Sequence, residues 1–236
     1  MSRSFQIVED KIEEAEFFLE KLHFKDTDFP TFSLREASFY LSAFLSAVRS
    51  ITFCLQASLS DLDGFQSWYE RHQVSLNANE LARFFLEARN LSQKVGYYPL
   101  RGGRIHRDEN GARHVELYFA PLEDMGLVPD ADVATACEAH FRQLLEITVD
   151  CYGAFGSIID PEKYYTIENM RQLGLTIEDF EVELGYEEGW TDVSDLSPEE
   201  CIDVLREYAP KIAIDWIFRK YLGTDRYGVP EDLNDA

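Results

Sequence analysis

The chain has 236 residues, enough for one sizeable core or one core with an appendage, and its 45% hydrophobic and 14% aromatic content argues against general disorder. A formal charge of −22 works against binding nucleic acid over a broad surface and against docking on an anionic membrane. That leaves as partners a basic protein, a second copy of the chain through an apolar face, or RNA or a nucleotide at a local basic patch.

Over residues 6–23, Ile7, Val8, Ile12, Ala15, Phe18, Leu19 and Leu22 keep helical spacing, and MSRSFQIVEDKIEEAE holds no apolar stretch of the signal-peptide kind. Phe29-Pro30 is expected to break this helix. Ser33, with Glu36 three residues on, is a capping-box signature for a long helix running to about Leu59. Inside it FYLSAFLSAVRSITFCLQ, residues 39–56, is apolar round most of its circumference; its polar positions are serines, Arg49 and Gln56. Such a helix is expected to be buried on more than one side, centrally or at a subunit interface. Asp61–Gly64 is a turn lacking the oxygen spacing of a calcium loop. Phe65–His72 reads as a short aromatic helix with Trp68 and Tyr69 as core anchors.

Asn77 is expected to cap the next helix, Leu81–Gly96. There Leu81, Phe84, Phe85, Ala88, Leu91 and Val95 form one face, Arg89 follows that stripe by one residue, and Asn90 and Lys94 flank it. Gly96 and Pro99 mark its end. Asn110-Gly111 between two strand-like runs then predicts a hairpin, with strands at about 104–108 and 112–119. Residues 89–114 carry six Lys or Arg against two acids, a basic patch in an acidic chain. Arg101, Arg104 and His106, together with Arg49, are therefore candidate ligand-binding residues for phosphate or RNA; the alternative is pairing with the protein's own acidic tail.

Asp130–Ile158 is the fourth long helix, with Val133, Cys137, Phe141, Leu144 and Leu145 on its apolar side and His140 expected to be exposed or singly bonded. Residues 160–236 hold 20 acids against 7 bases. They predict a short helix at Ile167–Leu173, a strand within Thr176–Gly189 where Phe180, Val182, Leu184 and Tyr186 alternate, one or two helices around Pro210, and a frayed end from Asp225. The fold class is mainly α: an up-down four-helix bundle with an inserted β-hairpin, and a C-terminal α+β extension. The expected domains are a bundle over 1–159, with the hairpin at about 104–119, and an acidic extension over 160–236 packed on it. Four scattered cysteines without a Cys-x-x-Cys pair fit a reducing cytoplasm.

The succession of FYLSAFLSAVRSITFCLQ, FQSWYERH and a helix ending FFLEARNLSQKVG resembles the HEPN-like helical bundles over roughly residues 1–158. In that family's nucleases an arginine, commonly followed by a polar residue, precedes a histidine by a short spacer. Arg89 and Asn90 match the first half, and Lys94 stands where the histidine would be. The resemblance implies a homodimer in which two such motifs meet, and a metal-independent attack by the ribose 2′-hydroxyl. A histidine suits proton transfer there because it titrates near neutrality; a lysine, at about 10, does not.

The sequence contains no Gly-x-Ser-x-Gly, no P-loop, no dinucleotide fingerprint and no HExxH, so neither a cofactor nor a metal is expected. The reading is a HEPN-like homodimer that binds RNA, a nucleotide or a protein partner near Arg89 without catalysis. The alternatives are a metal-independent endoribonuclease using Arg89 and Asn90 with Lys94 or His106, and an acidic, antitoxin-like regulatory protein.

Overall fold

The computed structural model describes residues 4–24, 33–107, 109–122, 128–192 and 196–230. The break expected at Phe29-Pro30 and the last six residues lie outside these. The described chain is mainly helical, with one two-stranded antiparallel hairpin, and divides into two compact units, Asp10–Ile147 and Met1–Glu9 with Thr148–Ala236.

In the first unit, α1 (Gln6–Leu22) buries Ile12, Ala15, Leu19 and Leu22. Helix α2 (Leu34–Leu59) starts where Ser33 adopts an extended backbone and its hydroxyl accepts from the Glu36 N–H at 3.5 Å. Leu41, Phe44, Leu45, Val48, Ile51 and Leu55 go to its buried side. Phe39 and Phe53, on the other side, stay 49% and 45% exposed. The serines between them close back on their own helix, Ser46 onto the Ser42 carbonyl and Ser50 onto that of Ser46. By length and composition α2 could cross a membrane, but half of that stretch is buried inside the protein.

Helix α3 runs over Phe65–Ala78, longer than the aromatic segment alone, with Phe65, Trp68 and Tyr69 buried as anchors. Because α3 continues through Asn77, that residue cannot cap the next helix. Asn79 does so instead, its side chain accepting from the Ala82 N–H at 2.9 Å at the start of α4 (Glu80–Val95). Gly96 ends α4 at φ +67°, a left-handed conformation that glycine adopts without cost. Helix α4 packs on α2 and α3 through Phe84, Phe85, Ala88 and Ser92. Val95, expected on that face, is 70% exposed in the last turn.

Strands β1 (Leu100–Arg107) and β2 (Arg113–Phe119) pair with Arg104 opposite Glu116 and His106 opposite His114. Phe119 carries the hairpin onto α4, its ring 4.8 Å from that of Phe84. Helix α5 (Val133–Ile159) contributes Phe141, Leu144 and Leu145 to the core of this unit.

In the second unit, α6 (Pro161–Tyr164), α7 (Ile167–Leu173), α8 (Ile177–Glu183) and α9 (Pro198–Tyr208) surround Tyr164, Tyr165, Phe180, Ile202 and Leu205. Helix α10 (Asp215–Leu222) completes the set of named helices. The strand expected within Thr176–Gly189 is therefore helix α8, and no named strand occurs among the described residues of the C-terminal extension. Thr176 and Asp179 form a reciprocal capping box that commits the backbone to a helix. The apparent alternation is not realised, since Phe180 is buried and Val182 is 53% exposed.

Candidate anion site on α2 and α4

The facing sides of α2 and α4 are joined by side-chain hydrogen bonds, Ser42 with Ser92 at 2.7 Å and Gln93 to Ser46 at 2.9 Å. One to two turns away along both helices stand Arg49 and Arg89. They are close enough for the Arg89 charge to help pull the Arg49 pKa down. Burial is the larger cause, and Tyr69 opposes both. Arg49 donates to the Thr52 hydroxyl at 3.1 Å and lies over the Phe53 ring at 4.3 Å. The buried Nε of Arg89 has no hydrogen-bond acceptor among the described residues. Two half-buried guanidinium groups thus share one region without a carboxylate bonded to either among the described residues, in a protein rich in carboxylates.

Arg49 also lines a pocket of about 120 Å³ between α2, α3, α4 and α5. Its floor is apolar, from Val48, Phe85 and Leu144. Beside Arg49, its polar lining includes Thr52, Gln73, Asn77, Arg83, His140 and Tyr69, which accepts from Gln56 Nε2 at 3.0 Å. Of the two positions expected for it, exposed or singly bonded, His140 takes the second: it is 7% exposed, its Nδ1 meets Gln143 Oε1 at 3.4 Å, and it stacks flat on Phe85, with ring centroids 4.6 Å apart. Burial pushes its pKa down to about 4, against a weak contact with Gln143, so the imidazole is neutral across the physiological range. Its place was legible: His140 follows Cys137 by three residues and precedes Leu144 by four, on the apolar stripe of α5.

The other residues singled out from the sequence lie elsewhere or are already engaged. Lys94 is exposed in the last turn of α4, where a cation complements the helix dipole. Asn90 is half-buried beside Arg89, and Arg101 is exposed on β1. Arg104 binds Glu116 across the hairpin at 2.8 Å, with Tyr118 donating to the same carboxylate. Those three groups hold one another, keeping the Glu116 pKa below and that of Tyr118 above its usual range. His106 sits 3.6 Å from Glu116 and stacks on His114. Arg104 of the basic patch is thus taken up inside the hairpin by Glu116 of β2, and Arg107 donates to the Gly111 carbonyl at 2.7 Å. Among the described residues no group of three or more His, Cys, Asp or Glu is placed to hold a metal.

Residues 28–101 match the family model described as bacteriophage lambda protein ea47. The match spans α2, α3 and α4 and includes Arg49, Tyr69 and Arg89, but less than half of the chain. No curated protein and no solved structure matches. The resemblance to HEPN bundles is overturned by this result, because the segments that suggested it are those that belong to the ea47-like region. Alternating short and long amphipathic helices are generic to helical bundles, and an arginine–asparagine pair recurs by chance.

Proposed function

We propose that this protein is a non-catalytic binding protein whose α2–α4 face receives an anionic, phosphate-bearing ligand at Arg49 and Arg89. The observation that carries the reading is the pair itself: two neighbouring cations, one with a buried unsatisfied Nε, and no carboxylate bonded to either among the described residues. Buried polar groups left without partners cost stability, and a phosphate would satisfy both guanidinium groups at once. The large negative charge of the chain favours a small ligand here over a long nucleic acid. A binding rather than catalytic role is supported by His140, whose lowered proton affinity makes it a weak base.

The test is calorimetric titration of the whole chain with inorganic phosphate and pyrophosphate at low salt. The wild type should bind, and Arg49→Met and Arg89→Met should each lose at least tenfold in affinity. No binding, or binding that neither substitution alters, would contradict the reading. We also propose a homodimer, supported by the exposed Phe39 and Phe53 on α2; light scattering coupled to gel filtration tests it, a monomer mass being the adverse result. A cytoplasmic setting is part of the same proposal, supported by four buried free cysteines.

A further inference from the structure

We infer that the ligand is a nucleoside monophosphate, with its base seated in the pocket beside His140 and its phosphate at Arg49. The inference rests on the anion reading above and extends it to a ligand class. The pocket's lining is partly aromatic: Phe85 and His140, stacked on one another with planes 12° apart, both contribute to it, and the buried Tyr69 stands on the α3 side. At its mouth Gln73 and Asn77 lie four residues apart on α3, so both amides face the same side. Each amide presents a donor and an acceptor together, the arrangement that pairs with the edge of a nucleobase. His140, whose Nδ1 already meets Gln143 Oε1 at 3.4 Å, leaves its other ring nitrogen as one further polar group for a heterocycle.

The size of the pocket agrees with a divided ligand. About 120 Å³ lies well under the ~300–1,000 Å³ of sites that enclose a whole drug-sized molecule. A ring can enter, and the sugar and phosphate then remain outside. Arg49 belongs both to the pocket lining and to the guanidinium pair, so it is the cation that a phosphate one sugar away from a seated base would meet.

The test is calorimetry on the full chain with AMP, GMP, CMP and UMP beside inorganic phosphate and the four free nucleosides. At least one monophosphate should bind ten or more times tighter than phosphate and than its own nucleoside. Arg49→Met should remove phosphate and nucleotide binding together. Gln73→Ala and Asn77→Ala, both at exposed positions, should lower nucleotide affinity severalfold while leaving that for phosphate unchanged, and His140→Phe should do the same with the ring stack retained. If phosphate binds but no nucleotide binds better, the nucleotide inference fails and the anion site stands. If nucleotides bind better yet Gln73→Ala and Asn77→Ala change nothing, the base is not in this pocket and the inference fails as well. If neither phosphate nor nucleotide binds, both readings fail.

Discussion

Replacing Arg226 by methionine should be the most damaging single charge change in the second unit. The Arg226 side chain is 4% exposed and meets three carboxylates: Asp160 at 3.1 Å, Glu162 at 3.0 Å, and Asp215. The Asp160 side chain is fully buried and also accepts from the Tyr227 hydroxyl and from the Glu162 N–H that begins α6. These acids drive the Arg226 pKa up despite its burial. Methionine fills most of the arginine stem's volume, so the loss is electrostatic: Asp160 would stay buried, ionised and without its cation. Removing one partner of a buried ion pair costs about 3–5 kcal/mol, which is a large share of the ~5–15 kcal/mol that holds a typical protein folded. At ~2–4 °C per kcal/mol for a chain of this size, melting should fall by roughly 10 °C. Urea denaturation followed by tryptophan fluorescence reads the change. Asp160→Asn in the same background should restore part of the loss, because it removes the stranded charge and keeps an acceptor for the α6 cap. A loss under about 1 kcal/mol, or a double variant worse than the sum of its parts, would refute the reasoning.

Three further outcomes rest on the same kind of accounting. His140 has a folded pKa of about 4 against an ordinary 6.5, so the unfolded chain takes up a proton first as pH falls; the associated stability is full above 6.5 and drains away towards pH 4, on the order of 3 kcal/mol. His140→Phe should flatten that part of the stability–pH curve, and an unchanged slope would contradict burial of the imidazole. Glu181 is buried, which disfavours its charge, but hydrogen bonds from the Thr191 hydroxyl and from the Thr191, Gly189 and Trp190 backbone outweigh that and lower its pKa below the usual 4.5. Its contribution is present above that value and lost as pH falls through the folded one, so Glu181→Gln should cost about 1–3 kcal/mol at pH 7 and progressively less in acid, as urea midpoints across pH would show. At Gly103 an added Cβ would lie 2.6 Å from the Glu116 carbonyl oxygen and 2.8 Å from Leu117 Cδ2, so Gly103→Ala should loosen β1 from β2, with amide exchange of Arg104–Arg107 accelerating.

The helices were legible where local chemistry and periodicity agreed. Ser33 with Glu36, the Asn110-Gly111 turn, and the stop at Gly174 each set an element boundary close to the observed one. Thr176–Gly189 misled because a period-two pattern of apolar residues overlay a stronger local signal, the Thr176 and Asp179 capping box. Asp225 onwards read as frayed because the residues are polar; nothing local says that Arg226 finds carboxylates from residues 160, 162 and 215. The site divides in the same way. Arg49 and Arg89 could be placed on facing helices by spacing alone, since both flank apolar stripes. That Arg104 and His106 meet Glu116 is set by strand register across the hairpin, which a count of charges along the chain does not reveal.

The claim on which the functional account turns is that Arg49 and Arg89 are held together for an anion that would join them. The most direct measurement is the melting temperature of wild type and Arg89→Met, each with and without millimolar phosphate at low salt. Without phosphate, Arg89→Met should be as stable as wild type or more so, by on the order of 0.5 kcal/mol, because one of two repelling charges is gone. With phosphate, wild type should gain stability as ligand concentration rises and the variant should not. A variant less stable than wild type without phosphate, together with equal responses to phosphate, would show that Arg89 serves the fold and not a ligand.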